Sequence, residues 1–501
     1  MRNKLFTFLL LFLLIFPWKI QAQVGELPRA IPEDEGIPSR TIAALFDSLM
    51  ALPATDIHSV MVLRHGKVVA EMYPAPFDAR YRHTMYSCSK TFVGVAVGLA
   101  IADNRLQLTD RVGSFFPELL PDTVSDNLSA INVRDLLTMT SGITPDWNMR
   151  NLTPHWIATY LSKPVSGVGH KFQYDSIATY LLSAIIQKAT GMRLLDYLRL
   201  KLFEPMHITE VDWEVSPEGY NTGGWGLHIQ PESLAKFGQL LLDGGRWEGR
   251  QLIPASWVRE MMTEQQPGTE YGYQMWQCEY PGAWRADGAL GQYILIVPDK
   301  DMVVAITECT LINGVNQRRL VWNRLLPEVT DGTLPRADKD YKRLQQKQAA
   351  YALPMPKGKA SSTASSGLDG KRIRLEDNKY GWQSLTLHVD RSRREIRMDI
   401  ATREGESDTL PFGYRTWLTT EMNACPPYSI APVDAFKGLE RPFHAAGSYA
   451  WTSHGILQLQ VHYVDWISAL SLDFHIDAGK VRITVGENYS SEPVTLKGTL
   501  E

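Results

Sequence analysis

The chain has 501 residues, which is too long for one ordinary domain, so two or more domains are expected. Hydrophobic residues make up 44% of the chain and charged residues 21%, which is typical of a globular protein and excludes a disordered one. A formal net charge of −4 gives no indication of binding to nucleic acid or to a membrane surface.

The N-terminal segment has the pattern of a secretory signal peptide. Arg2 and Lys4 precede an apolar stretch from Leu5 to Trp18, and Ala22 offers a small residue for cleavage. The apolar stretch is short for a transmembrane helix, which needs about 20 residues, and an uncleaved N-terminal anchor is the alternative. We therefore predict a signal peptide at residues 1–22 and an exported protein without a membrane segment after cleavage. Its location would be periplasmic, with extracellular release as the alternative.

The next segment predicts a β-hairpin followed by a helical region. Residues from His58 to Tyr73 alternate apolar and polar side chains around a turn at His65-Gly66-Lys67. From Lys90 to Phe237 the apolar spacing becomes helical. The clearest helical segments are Asn132–Leu137, Ser176–Ala189 and Pro231–Leu242.

The tetrapeptide Ser87-Cys88-Ser89-Lys90 opens an apolar run from Phe92 to Ile101. Positions i and i+3 share one face of a helix, so Lys90 can reach the hydroxyl of Ser87. A desolvated lysine can take the proton of a serine, and the helix N-terminus favours the negative charge that develops there. The alternative is an N-cap serine with a solvated lysine. We expect Cys88 to be a buried small residue and not a second nucleophile.

A second candidate motif lies at the start of the helix at Ser176. A cationic neighbour such as Lys90 would lower the pKa of the Tyr174 phenol far enough for proton transfer. Ser176, two residues further on, would bind the lysine or the substrate. The alternative is that Tyr174 is a packing aromatic and Ser176 an N-cap.

Strands return between Tyr271 and Thr307, in the segments YGYQMWQ, AWRADGALGQ, YILIVP and MVVAIT. A hairpin before the helical region and strands after it predict a mixed α/β domain whose sheet uses both ends. Within the second segment, Gly288 would let a substrate approach the strand closely. The N–H groups of Ala289 and Ser87 would then form an oxyanion hole. The alternative for Ala-Asp-Gly is an ordinary turn.

The remaining sequence predicts a helix, a linker and a second domain. The helix lies near Asn313 to Leu326, and residues 345–370 have the Gln-, Pro- and Ser-rich composition of a linker. Beyond it, the alternating segments SLTLHVD, EIRMDIA, ILQLQVHYVD, ALSLDFHID and KVRITV predict antiparallel strands of a small β-sandwich or barrel at residues 371–501. The first domain accordingly occupies residues 23–344.

The cysteines and histidines do not indicate a metal site. The four cysteines, Cys88, Cys278, Cys309 and Cys425, have no zinc-type spacing, and the twelve histidines form no ligand set. Export would permit a disulfide, and Cys278 with Cys309 is the only pair close in sequence. Free thiols are favoured over this bridge.

Together the motifs resemble those of the serine hydrolases that include class C β-lactamases, penicillin-binding D-alanyl-D-alanine peptidases, SxxK carboxylesterases and nylon-oligomer hydrolases. That family has SxxK, then YxN or YxS, then a [KHW]xG-type strand. The matching residues here are Ser87–Lys90, Tyr174–Ser176 and Ala286–Gly288, within a resemblance that covers roughly Ile37 to Leu326. The resemblance implies an α/β (α+β) fold: an antiparallel sheet flanked by helices, beside an all-helical region, with the site between them.

The resemblance also implies roles for individual residues. Ser87 would be the acyl-enzyme nucleophile, Lys90 its hydrogen-bonded base partner, and Tyr174 the group that protonates the leaving group and activates the deacylating water. Whether Lys90 or Tyr174 takes the first proton stays open. No metal or organic cofactor is implied. Loops carrying Trp147 and Trp225 would border the cleft, unless these rings are simply packed.

Two departures from the family pattern favour an ester or amide substrate. Ala286 stands where β-lactamases and peptidases carry Lys or His, and it supplies no charge for a substrate carboxylate. Ser176 replaces the asparagine common in β-lactamases. Asp287 is either solvated or in contact with a polar substrate, and the first reading is favoured.

The function predicted is therefore an exported serine hydrolase acting on a small ester, amide or peptide-like molecule. One alternative is a β-lactamase or D-Ala-D-Ala carboxypeptidase. A second is a non-catalytic binding or sensor protein with a retained cleft, against which the intact Ser87, Lys90 and Tyr174 argue. The sequence does not indicate an oligomeric state.

Overall fold

A computed structural model describes residues 25–312, 314–363, 367–405, 407–427, 435–453, 455–477 and 479–501, so the predicted signal peptide lies outside the described residues. The helices of this part are α1 Ser39–Met50, α2 Ser89–Ala102, α3 Asp126–Ala130, α4 Val133–Leu137, α5 Met149–Leu152, α6 Trp156–Leu161, α7 Ser176–Thr190, α8 Leu194–Leu198, α9 Pro231–Leu242, α10 Ala255–Met261, α11 Val315–Leu320 and α12 Asp338–Ala350.

The strands of the first domain are β1 Thr55–Arg64, β2 Lys67–Met72, β3 His83–Thr84, β4 Val211–Trp213, β5 Leu227–Ile229, β6 Arg246–Trp247, β7 Arg250–Gln251, β8 Trp276–Gln277, β9 Trp284–Gly288, β10 Gln292–Val297 and β11 Met302–Thr310. The strands of the second are β12 Arg372–Leu375, β13 Trp382–Asp390, β14 Glu395–Thr402, β15 Ser407–Tyr414, β16 Leu418–Met422, β17 Phe443–Trp451, β18 Leu457–Tyr463, β19 Ala469–Asp477, β20 Lys480–Glu487 and β21 Val494–Leu500.

The main sheet of the first domain has the order β2-β1-β11-β10-β9-β8 and is antiparallel. The predicted hairpin is β1–β2, and β1 pairs with β11, so the sheet does use both ends of the domain. Every residue of β11 is buried, because helices cover both faces of the sheet. The prediction of a mixed α/β fold is confirmed.

The helical region agrees with its sequence signals at three places. Asn132 caps α4 in a capping box with Asp135, while α7 and α9 begin at Ser176 and Pro231. The strand predicted in YGYQMWQ is wrong for most of its length, since only Trp276 and Gln277 form β8. Gln274 adopts a left-handed conformation with φ of 60°, which interrupts an extended chain.

The segment between the domains is more ordered than a linker composition predicts. The helix α12 continues to Ala350, six residues into the predicted linker, and Tyr351 donates a hydrogen bond of 2.8 Å to Asp47 of α1. Lys347 also pairs with Asp47. Gln, Lys and Ala favour helices when one face finds a packing surface, and here Leu344 is fully buried.

The C-terminal domain is a β-barrel. Its sheet runs β15-β14-β13-β12-β21-β20-β19-β18-β17-β16, and β15 also pairs in parallel with β17, which closes the barrel. Inward-facing side chains of these strands form one hydrophobic cluster. Within the described residues no helix is long and apolar enough to span a membrane.

Candidate active site

The proposed nucleophile and its lysine are in direct contact. Ser87 lies in the short 3₁₀ turn Tyr86–Cys88 that leads into α2, and Lys90 is in the first turn of that helix. Lys90 Nζ lies 2.9 Å from Ser87 Oγ, as the i, i+3 spacing predicts. The lysine is 1% exposed, whereas Ser87 is partly open to solvent.

Burial changes the chemistry of Lys90. It lowers the pKa of the ammonium from its ordinary 10.5 to about 7, against an opposing effect of the nearby Asp175 charge. Lys90 Nζ also lies 2.9 Å from Ser176 Oγ and 2.7 Å from the carbonyl oxygen of Gly224. A neutral amine can donate its two hydrogens to Ser176 and Gly224 and accept the hydroxyl proton of Ser87 on its lone pair. The arrangement therefore suits a general base.

The start of α7 places Ser176 at the lysine. Asp175 is the N-cap residue, and its side chain accepts a hydrogen bond of 2.8 Å from Ile177 N–H. Ser176 is thus not the cap, and its hydroxyl is directed to Lys90. Sequence reasoning missed the carbonyl of Gly224 as a lysine partner. The glycine-rich segment GGWG at residues 223–226 was a signal for this close approach of two backbones. A Cβ at Gly224 would lie only 2.3 Å from the carbonyl oxygen of Ser176, so the position needs a glycine.

Tyr174 lies beside Ser87 and Lys90, but its predicted pKa shift is wrong in direction. Burial raises the pKa of the phenol, although a hydrogen bond with the Ser87 hydroxyl lowers it. Lys90 Nζ lies 4.7 Å from the centre of the tyrosine ring, over its face and not at the phenol oxygen. Trp276, a neighbour that sequence reasoning missed, packs 5.5 Å from the ring. The phenol is therefore a proton donor near neutral pH.

The strand β9 lies against the nucleophile turn. A Cβ at Gly288 would come within 2.4 Å of the carbonyl oxygen of Met85, two residues before Ser87. The close approach that this glycine permits is thus to the nucleophile segment, where the sequence had predicted a substrate. Ala286 is 1% exposed, and Ala289 is exposed at the end of the strand. The prediction that Ala289 and Ser87 share an oxyanion hole stays a prediction.

Asp287 is paired with arginines. It accepts a hydrogen bond of 2.7 Å from Arg285 Nε, and Arg318 Nη1 lies 3.8 Å away. Arg318 in turn binds Glu279 at 2.5 Å. Arg285, Asp287 and Arg318 border an open groove of about 420 Å³ beside Ala289. The two arginines and two carboxylates sum to no net charge.

The two tryptophans lie in one aromatic cluster. Trp225 is 4% exposed, its ring is 4.9 Å from that of Trp147, and the guanidinium of Arg150 lies 3.3 Å from the Trp147 ring centre. Trp147 is half-buried. Trp225 therefore offers little surface to a substrate, and Trp147 offers more.

The four cysteines, all within the described residues, form no disulfide. Cys278 and Cys309 are buried in different hydrophobic clusters and are not bridged. Cys88 is fully buried, donates to the carbonyl of Gln292 at 3.2 Å, and has its thiol pKa raised by burial. It has the properties of a structural residue. The described residues contain no group of three or more His, Cys, Asp or Glu that would hold a metal.

The fold and this site define a serine hydrolase. A family model described as Beta-lactamase matches residues 42–326, which is more than half of the chain. The chain therefore belongs to the Beta-lactamase family.

Curated relatives are similar over part of the chain. A 6-aminohexanoate-dimer hydrolase of Paenarthrobacter ureafaciens is 27% identical over 331 residues, covering 56% of this chain and 83% of the relative. A β-lactamase of Escherichia coli is 24% identical over 266 residues, covering 49% of this chain and 64% of the relative.

Solved structures show the same kind of likeness. The hydrolase EstCE1, described as having promiscuous acyltransferase activity, is 15% identical with a TM-score of 0.49, over 57% of this chain and 99% of that one. An octameric penicillin-binding protein homologue from Pyrococcus abyssi is 16% identical with a TM-score of 0.46, over 91% of this chain and 98% of that one.

Proposed function

We propose that the protein hydrolyses a small ester or amide through a covalent acyl-enzyme on Ser87. The observation that carries the proposal is the buried Lys90, whose amine lies 2.9 Å from Ser87 Oγ and has a pKa of about 7. A neutral lysine at this position takes the proton that makes serine nucleophilic.

In the first step Ser87 Oγ bonds to the substrate carbonyl carbon and its proton passes to Lys90. The carbonyl oxygen becomes an oxyanion, which the N–H groups of Ser87 and Ala289 would stabilise. The phenol of Tyr174 then donates its proton to the leaving oxygen or nitrogen as the bond to carbon breaks, which leaves a phenolate beside the Lys90 ammonium. In deacylation water bonds to the acyl carbon and gives its proton to the phenolate, and the Lys90 ammonium returns its proton to Ser87 Oγ as the acyl bond breaks.

The charge of the groove favours an uncharged substrate. Ala286 adds no cation at the strand, and Arg285 and Arg318 are occupied by Asp287 and Glu279. A β-lactam or D-Ala-D-Ala terminus carries a carboxylate and would have to displace one of these pairs. We therefore rank esters and amides above β-lactams. The name of the 6-aminohexanoate-dimer hydrolase supports including that dimer among the substrates tested.

The test is labelling and turnover by purified protein. We expect a fluorophosphonate probe to label the wild type, and a chromogenic ester to be turned over faster than a chromogenic cephalosporin. Ser87→Ala should lower both the labelling and the ester turnover by at least about 10³-fold. The matched control is Cys88→Ala, which removes the neighbouring thiol and should leave labelling intact. A wild type that neither labels nor turns over any substrate would disprove the proposal.

We also propose that the protein is exported after removal of residues 1–22. The basic residues and short apolar stretch of the N-terminus support this. Expression of the full chain, followed by N-terminal sequencing of the protein in the periplasm and medium, should find Gln23 first. Retention of Met1 would contradict cleavage.

A further inference from the structure

Two residues beside the site pack against the hydrophobic cluster of the C-terminal barrel. Tyr86 immediately precedes Ser87, and Leu290 immediately follows Ala289. Tyr86 belongs to the hydrophobic cluster of the barrel, and Leu290 packs against that cluster. The neighbours of both proposed oxyanion N–H donors are therefore attached to the second domain.

The contact at Tyr86 is made by Trp466. This tryptophan lies in the turn between β18 and β19 and is 1% exposed. Its ring meets that of Tyr86 edge to face, with centres 6.5 Å apart and planes at 74°. Tyr86 is 3% exposed and has φ of 42°, in the left-handed region that costs a bulky residue free energy. A strained residue persists only when its surroundings hold it, and here the barrel supplies part of those surroundings.

The same turn has a second attachment near the nucleophile. His228 Nε2–H donates a hydrogen bond of 2.6 Å to the carbonyl oxygen of Asp465, the residue before Trp466. His228 is in β5, next to Leu227. The carbonyl oxygen of Leu227 accepts a hydrogen bond of 2.9 Å from Met85 N–H, and the N–H of Leu227 donates one of 3.1 Å to Ser89 Oγ. One barrel turn thus holds the nucleophile segment directly and through β5.

We propose that this turn positions the oxyanion hole, with Trp466 as a positioning residue that acts through Tyr86 on the N–H of Ser87. The barrel is then part of the catalytic apparatus and not a tethered accessory. This inference rests on the proposed acyl-enzyme chemistry. Hydrogen bonds to a developing oxyanion depend on donor placement within a fraction of an ångström, so loosening Tyr86 lowers the rate more than substrate binding.

The experiment compares four single substitutions in the full chain. Trp466→Leu removes the ring but keeps apolar volume, and Trp466→Phe keeps an aromatic edge for Tyr86. Tyr86→Leu removes the ring on the other side of the contact. The matched control is Trp451→Leu, because Trp451 is equally buried in the barrel but lies at the other end of β17 from the domain contact. It is about 26 Å along the strand from Phe443, whose ring centre lies 6.4 Å from that of His228.

We expect Trp466→Leu to lower kcat for the ester by about tenfold or more with KM within about threefold, and to slow fluorophosphonate labelling equally. Trp466→Phe should recover most of the rate, and Trp451→Leu should lower Tm with kcat within about twofold. The double variant Tyr86→Leu/Trp466→Leu should lose no more activity than either single variant, because each substitution removes the same contact between the two rings.

The inference is overturned if Trp466→Leu labels and turns over like the wild type, or if its loss simply adds to that of Tyr86→Leu. Either result leaves the proposed function standing, since the wild type would still label at Ser87. A wild type that does not label overturns the proposed function, and this inference with it.

Discussion

Lys90 shows how a residue is made reactive by its surroundings. Its amine has three partners, two of them hydroxyls and one a carbonyl, and none of them is an anion. An anion in contact would hold the proton on the lysine, as ordinary ion pairs do. Because no anion is in contact with the amine, burial is the dominant effect, and it lowers the pKa of Lys90 to about 7.

A pH–rate profile tests this protonation state. Lys90 must be neutral to accept the proton of Ser87, so the acylation rate should rise through about pH 7 and fall about tenfold per pH unit below it. The measurement is the rate of fluorophosphonate labelling between about pH 5 and 9. Lys90→Arg retains charge at all these values and should be slower by about 10² or more. A flat profile in the wild type would show that Lys90 is not the base.

At the residue scale, the sequence predicted which side chains are in contact better than it predicted their pKa values. The three-residue spacing of Ser87 and Lys90 is enough to place their side chains together on a helix. The pKa direction of Tyr174 was wrong because burial is a property of the assembled fold. The carbonyl of Gly224 escaped notice because a backbone group carries no residue identity, and only the glycine itself marks it.

At the scale of elements, the closeness of β9 and the nucleophile turn depends on Gly288. An added Cβ would lie 2.4 Å from the carbonyl oxygen of Met85, a backbone atom that cannot move alone. We expect Gly288→Ala to destabilise the protein by about 1–3 kcal/mol and to lower kcat by about tenfold or more. Denaturant unfolding and ester kinetics measure the two effects. Gly332→Ala, where nothing lies within 4 Å, is the control and should change neither. Wild-type kcat in Gly288→Ala would contradict the argument.

The elements that sequence reasoning found are those with strong side-chain periodicity. The alternating segments at β13, β14, β18, β19 and β20 were all predicted as strands. β17 was missed because Ala445, Ala446 and Gly447 interrupt its alternation with small residues. Those small residues suit the position where β17 pairs with three other strands, and a Cβ at Gly447 would lie 2.2 Å from the Pro411 carbonyl oxygen.

At the scale of the whole molecule, the two domains meet through buried polar groups. His228 donates to the barrel carbonyl of Asp465 through Nε2 and lies 2.9 Å from Asp212 Oδ1 through Nδ1. Asp212 also accepts from the backbone N–H of Glu440 and pairs with Arg82 at 3.1 Å. Because a carbonyl and a carboxylate both accept, both ring nitrogens carry hydrogen and the imidazole is positively charged.

The charge on His228 makes the domain contact sensitive to pH. Burial alone would lower its pKa, but the charge and hydrogen bond of Asp212, helped by Asp465 and opposed by Arg82, raise it above the ordinary 6.5. A raised pKa in the folded state contributes stability that is complete below the unfolded pKa and lost as pH rises through the folded one. Burial lowers the pKa of His58, His83 and His462 at the same contact, so their contribution has the opposite sign.

Replacing the histidine isolates its contribution. His228→Asn should lower the free energy of unfolding by about 3 kcal/mol at acidic pH, where the buried pair is intact, and by less as the pH rises. The difference between wild type and variant is followed by denaturant unfolding from about pH 6 to 9. It cancels the contributions of His58 and His462, since both proteins carry them and their pKa shifts have other causes than His228. A difference that stays constant or grows with pH would show that His228 is neutral in the folded protein. The domain contact would then not depend on a charge at this histidine.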